Sequence, residues 1–297
     1  MFFGHLADHL ILFPTTQPID SGGASRNTIP FENGALEIWT AKSRRAQRQG
    51  RADLFVLRFY GNADRADRWP ALEAGMWNDR AVEIWGMNYP GFSASTGPPR
   101  LARIGPAAIA AFDALKRHAA SVSTVDSAPP SGSNPALGTN RSSAPPRQAT
   151  QPKAPIVLFG TSIGATAALH VAASRPGEIA ALILQNPPPL RELILRQFGW
   201  WNLWLLAGPV ALQIPRELDS IANATVTRVP AIFLLAEKDE IVAPRFHRSV
   251  VQAYAGKKRV IELRGAHHND PIEAAALANL NHALDWMLTT KCSAPAL

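Results

Sequence analysis

The chain holds a single cysteine, Cys292, among 297 residues. It cannot close an internal disulfide, and no second cysteine is on hand for a structural zinc site. This scarcity fits a reducing compartment, so a cytoplasmic location is the expectation. Long apolar runs are also missing. The nearest, residues 198–214, is interrupted by Gly199, Asn202, Gly208, Pro209 and Gln213, which argues against a spanning helix. Residues 1–13 are apolar but carry His5, Asp8 and His9, without a basic start or a small-residue cleavage site, so no signal peptide is read. Acidic charge is in short supply, with 23 Asp and Glu against 30 Lys and Arg, a net charge of +7. Such a surplus points to nucleic acid or an anionic membrane only when it is organised. Here it is scattered and often sits beside acids, as in Asp64-Arg65 and Asp67-Arg68. Its densest group (Lys42, Arg44, Arg45, Arg48 and Arg51) reads as a solvated loop between two strands. No helix-turn-helix or zinc pattern accompanies it, so no nucleic-acid partner is expected.

What the chain does have is apolar residues, 46% of the total, enough for a sizeable core. Short apolar runs at 36–40, 54–59, 82–87, 156–159, 181–184, 231–235 and 259–263 read as strands. The later ones are near-continuous, as in parallel strands covered on both faces. Helical spacing occupies 66–77, 101–119, 163–174, 244–254 and 271–288. The alternation predicts an α/β fold: one domain with a mostly parallel, twisted sheet of about eight strands and helices on both faces. Residues 10–13 and 36–40 precede the alternation and are expected as an antiparallel pair at one edge. Residues 121–154 are rich in serine and proline and poor in large apolar side chains. They are expected to form a disordered insertion, because they cannot bury enough surface to offset the entropy of ordering.

The strongest motif is Gly160-Thr161-Ser162-Ile163-Gly164, between an apolar strand and an alanine-rich helix. A serine on so tight a strand-to-helix turn needs very small residues two before and two after it, and Gly160 and Gly164 meet that need. The turn lifts the hydroxyl above the sheet and leaves the Ile163 N–H and the helix start aimed at developing negative charge. The bland alternative is a glycine-rich turn with a serine N-cap.

A serine hydroxyl needs a base, and the base needs an orienting carboxylate. After an elbow of this kind the acid comes first along the chain and the histidine second. Asp239 follows the apolar run ending at Ala236, with Glu237 and Glu240 as stand-ins. His267 and His268 follow the last strand, and either one suits the base. His170 lies within a helix, and His247 and His282 are expected on helix surfaces. The adjacent histidines lack the further ligands a metal would need, so no metal or organic cofactor is expected.

The segment after the 54–59 strand reads Tyr60-Gly61-Asn62-Ala63. With it the chain resembles the α/β-hydrolase superfamily, in particular compact members with little cap. These read H-G-N-A at this point and carry a Y-R-G-x-G-x-S-type stretch after the next strand, here Asn88-Tyr-Pro-Gly-Phe-Ser93. They then show G-x-S-x-G, a D-x-I-V-P-type loop (Asp239-Glu-Ile-Val-Ala-Pro244) and G-x-G-H-N-D (Gly265-Ala-His267-His268-Asn-Asp270). The resemblance covers nearly the whole chain outside 121–154. It implies that Ser162, Asp239 and His268 are catalytic, that the Asn62 and Ile163 N–H groups form the oxyanion hole, and that residues 187–222 form a small helical lid. Two departures stand out. Tyr60 replaces a histidine, which is expected to alter packing more than chemistry, and His267 replaces a small residue.

The lid region holds Trp200, Trp201 and Trp204, with Phe198, Leu205 and Leu206. They are read as packing the lid on the core, as lining an acyl pocket for medium or long chains, or as resting on a membrane. The expected reaction is ester cleavage through an acyl-enzyme, on a small acyl substrate with lipid-like ones included. A thioesterase, an amidase or aminopeptidase, or an acyltransferase would use the same residues, and a silent hydrolase-like binding scaffold is the non-enzymatic rival.

Overall fold

The computed structural model describes residues 5–62, 64–77, 79–125, 154–198, 205 and 207–292. Its strands are β1 (Ser25–Phe31), β2 (Gly34–Lys42), β3 (Leu54–Phe59), β4 (Val82–Met87), β5 (Ile156–Thr161), β6 (Ala181–Gln185), β7 (Ala231–Ala236) and β8 (Lys258–Leu263). Its α-helices are α1 (Leu6–Ile11), α2 (Arg44–Gln49), α3 (Pro70–Ala74), α4 (Leu101–Val125), α5 (Ile163–Ser174), α6 (Leu190–Leu193), α7 (Ala207–Leu212), α8 (Ser220–Val226), α9 (Pro244–Ala253) and α10 (Ala274–Cys292). The strands make one sheet in the order β1-β2-β4-β3-β5-β6-β7-β8. β1, β2 and β4 pair antiparallel, and β4, β3, β5, β6, β7 and β8 pair parallel.

The alternation along β3 shows how the sheet is covered. Phe55, Leu57 and Phe59 face one core, shared with α4 and α5 through Phe112, Leu115 and Leu169. Leu54 and Val56 face a second, shared with α10 through Leu280, Leu284 and Met287. Each such side chain taken fully out of water contributes about 1.5–3 kcal/mol, which is why a sheet so covered tolerates near-continuous apolar strands. The next residue on the second face, Arg58, is polar, and it marks where the packed core ends and the site begins.

Four local readings are corrected. Residues 10–13 do not pair with β2; residues 10 and 11 end α1, and the edge partner is β1. β1 hid from the apolar pattern because it is almost wholly exposed, and it carries Pro30, which an edge strand tolerates. The basic group after Lys42 includes a real helix, α2. The Ser43 hydroxyl caps it by accepting from the Ala46 N–H, and Gly50 at φ 73° ends it. The helix expected over 66–77 is cut to α3, which begins at Pro70, plus a 3-10 turn (Gly75–Trp77). Finally, α4 runs on to Val125, so residues 121–125 are helical, while 126–153 lie outside the described residues.

Candidate active site

In chain order β4 lies to one side of β3 and β5 to the other, so the strand order reverses there. Loops from the carboxyl ends of β3 and β5 meet at that reversal, where open α/β sheets leave a crevice. Ser162 sits at the end of β5 with φ 53° and ψ −124°, a strained backbone for a residue with a side chain. The glycines around it are required by contact. A Cβ on Gly160 would lie 2.3 Å from the Gly164 carbonyl oxygen, and one on Gly164 would lie 2.2 Å from that of Phe59. Gly61 also runs close, since a Cβ there would stand 3.6 Å from the Ser162 Cβ. The Ser162 N–H donates to the Gln185 carbonyl at 2.8 Å, tying the turn to β6.

Three loops converge on this serine. The His268 Nε2 lies 3.0 Å from the Ser162 Oγ, and its Nδ1 lies 2.6 Å from the Asp239 Oδ2. Asp239 follows β7, and its Oδ1 accepts from the Ile241 and Val242 N–H groups at 3.0 and 2.7 Å. Burial alone would push the Asp239 carboxyl up. The bonds from His247, His268 and the Val242 N–H outweigh it and hold the group well below the usual carboxylate range. An ionised carboxylate only accepts, so the His268 Nδ1 carries a proton, and in the neutral ring this leaves Nε2 as the acceptor facing the serine hydroxyl. Such a series has the geometry a proton relay needs: an imidazole so placed can take the hydroxyl proton while the carboxylate stabilises the resulting cation.

The alternatives separate cleanly. His267 is exposed, and its Nδ1 lies 3.0 Å from the Glu240 Oε2, away from the serine. Glu240 is exposed as well, while the Glu237 carboxylate accepts from the Gly265 N–H at 2.7 Å. His170 is half-buried on α5 and His282 is exposed on α10. His247 contradicts its expected surface position. It is fully buried on the inner face of α9, with Nε2 2.9 Å from the Asp239 Oδ2. Helical spacing placed it outside because a polar residue on an amphipathic helix is assigned to water by default, and its buried carboxylate partner is visible only in three dimensions.

Two more residues went unnoticed in the sequence. Asn186, at φ 48° just after β6, donates from Nδ2 to the His268 carbonyl at 3.1 Å and accepts from the Ala236 N–H at 2.8 Å. It thereby pins the histidine loop to the end of the aspartate strand. A lone asparagine after an apolar strand was the available signal, since asparagine tolerates positive φ better than most residues. Arg58 is the other. Its guanidinium donates to the Glu73 Oε1 (2.8 Å), the Phe59 carbonyl (2.8 Å) and the Thr161 Oγ1 (2.9 Å), and it stacks on the Phe159 ring at 3.9 Å. Tyr60, buried beside it, donates to the Glu73 Oε2 at 3.1 Å; burial, then the Glu73 charge, push its phenol well above the usual value.

A cavity of about 600 Å³ opens over this polar floor, bordered by His268 and Asn62; Leu72, Met76, Phe159 and Leu277 give it an apolar side, and Asp64, Arg68 and Asp270 add charge to its lining. The Asn62 side chain accepts from the Phe13 N–H at 2.9 Å. Ile163 is the first residue of α5, where the N–H has no partner within the helix. Between β6 and β7 the described residues form α6, a π-helical turn (Ile194–Phe198), α7, a 3-10 turn (Arg216–Leu218) and α8. Trp200, Trp201 and Trp204 lie outside the described residues.

No family model matches the chain. Among curated proteins, it is 30% identical to an uncharacterized protein of Mycobacterium tuberculosis over 117 residues, 39% of this chain and 38% of that protein. It is 32% identical over 93 residues to Protein bem46 of Schizosaccharomyces pombe, 31% of this chain and 30% of that one. The chain thus matches well under half the length of these relatives. Solved structures resemble it along most of its length. A Pyrococcus furiosus esterase superposes with a TM-score of 0.61 at 13% identity, covering 93% of this chain and 96% of the esterase. Est1E from Butyrivibrio proteoclasticus gives 0.58 at 11%, covering 90% and 99%. The mouse alpha/beta hydrolase domain-containing protein 10 gives 0.56 at 16%, again covering 90% and 99%.

Proposed function

We propose, taking as premise that this chain has the α/β-hydrolase fold, that it is a serine hydrolase cleaving carboxylic esters by two-step acyl transfer. The observation that carries this reading is the unbroken series from the Ser162 Oγ through His268 to the Asp239 carboxylate, at 3.0 and 2.6 Å. The Ser162 oxygen attacks the ester carbonyl carbon while its proton passes to the His268 Nε2. The carbonyl oxygen becomes an oxyanion held by the backbone N–H groups of Ile163 and Asn62. Collapse of this intermediate breaks the bond to the alcohol, which leaves with the proton from His268, and the acyl group remains on Ser162. A water molecule then gives its proton to His268 and attacks the acyl carbon. The acid departs and Ser162 regains its proton. The chemistry falls to this chain's own side chains and backbone.

The apolar wall of the cavity beside His268, together with its volume, suits a medium-length acyl or aryl group. That a protein of similar fold is an esterase supports ester chemistry in the same sense, without naming a substrate for this protein. A fluorophosphonate probe tests the reading: labelling of the wild type that disappears in Ser162→Ala is expected, and a folded wild type that does not label sinks it. Assayed alongside, p-nitrophenyl esters of rising chain length should be cleaved best above acetate, and a steep preference for acetate counts against the pocket.

A further inference from the structure

Asp239 accepts four hydrogen bonds. Two go to Oδ1, from the Ile241 and Val242 N–H groups of its own loop. Two go to Oδ2, from the imidazoles of His268 and His247 at 2.6 and 2.9 Å. The backbone pair pins one oxygen, but by itself it leaves the carboxylate able to tilt about that end. His247 reaches the other oxygen from α9, an element that shares no loop with His268. Its ring has no exposure to solvent, and its Nδ1 lies 3.5 Å from the Pro187 carbonyl oxygen, so Asp239 is the partner that holds it. Its neighbours on the inner face of α9 are Phe246 and Val250, both buried and apolar. A leucine there would avoid the cost of burying a polar ring, so the imidazole stands where a purely structural role does not call for one. With the carboxylate ionised, the His247 Nε2 must carry a proton towards it, as the His268 Nδ1 must.

We propose that His247 is a positioning residue of this site: it locks the Asp239 Oδ2 from the helix side, so that the carboxylate meets the His268 ring in the one orientation that presents Nε2 to Ser162. The role rests on the hydrolase reading above, because it acts through the same carboxylate. Deprived of this bond, Asp239 still folds into its loop but holds His268 less tightly, and the loss falls on the chemical step rather than on substrate binding.

The test compares His247→Leu, which removes the donor, with His247→Gln, whose amide nitrogen falls near the position of the imidazole Nε2. Melting temperature serves as the control for folding, and His247→Met replaces the leucine variant should that one not fold. In His247→Leu kcat is expected to fall by roughly tenfold or more, short of the roughly 10⁴-fold loss that follows when a triad carboxylate is itself replaced. KM should stay within about twofold of wild type, the split expected when an interaction made in the transition state is lost. His247→Gln should recover most of the loss. A second readout needs no turnover: the low-field proton NMR signal of the His268 Nδ1–H, recorded in the Ser162→Ala background, should shift or broaden with Leu at 247 and return with Gln. A chain that hydrolyses no ester sinks the hydrolase reading alone, since the NMR arm still decides the positioning role. A folded His247→Leu with wild-type kcat, a Gln variant no better than Leu, or an unchanged low-field signal overturns the proposal.

Discussion

Ser162 and His268 owe their meeting to backbone conditions that few residues can satisfy. The serine holds φ at 53° only because Gly160 and Gly164 leave the turn empty on both sides. The histidine holds its place because Asn186, itself at φ 48°, grips its carbonyl from β6. Its neighbour His267 shows how much one position matters, since the adjacent ring points to Glu240 instead. From the geometry, His268→Ala should lower kcat/KM by about 10²–10⁴-fold, the range a positioned general base contributes. His267→Ala should leave kcat/KM close to wild type. The ester assay described above measures both, and a large loss in His267→Ala with little loss in His268→Ala would reverse the assignment.

Between strands and helices, the polar floor under the cavity does the joining. Arg58 leaves β3 on the α10 face and binds Glu73 from α3, Thr161 from β5 and the Phe59 carbonyl of its own strand. Thr161 in turn lies 3.2 Å from the Gln185 Oε1 at the end of β6. One buried guanidinium therefore connects three strand ends and one helix beside the serine turn. Breaking a buried pair leaves an uncompensated charge, which costs about 3–5 kcal/mol. Glu73→Ala should lower stability by that order in urea unfolding. Arg58→Met together with Glu73→Leu, which removes both charges, should be milder than the single change. Equal losses in the two variants would show that the pair's charge is not what matters. The same scale explains why β1 and α2 were misread. An exposed edge strand has no apolar face to advertise, and a six-residue helix built of Arg, Gln and one Ala announces itself only through its Ser43 cap and Gly50 stop.

Across the whole molecule, buried carboxylates make stability depend on pH. Asp239 and Glu37 are both buried, which alone would raise them, and both are held below their ordinary values by hydrogen bonds. For Glu37 these come from Asn88, Ser93, Arg26 and the Ala94 N–H. A depressed folded value means that the stabilisation is complete above the ordinary carboxylate range and is lost as the pH falls below it. Urea midpoints should therefore hold steady down to about pH 4 and then decline. The decline should be shallower in Asp239→Asn, and a wild-type midpoint flat to pH 3 would refute the linkage. Much of this molecule was written in order along the chain. The near-continuous apolar runs that became β5, β6 and β7, the two glycines around Ser162, and the succession of serine, acid and histidine loops are local features, set by sterics and by the period of the backbone. What the chain order could not state is distance across the sheet. Whether His267 or His268 faces the serine, whether His247 looks outward or grips Asp239, and whether Arg58 stands in water or under a cavity depend on how strands far apart in sequence lie side by side. Those choices rest on burial and hydrogen bonding between segments up to 106 residues apart, and only the packed sheet brings such partners within reach.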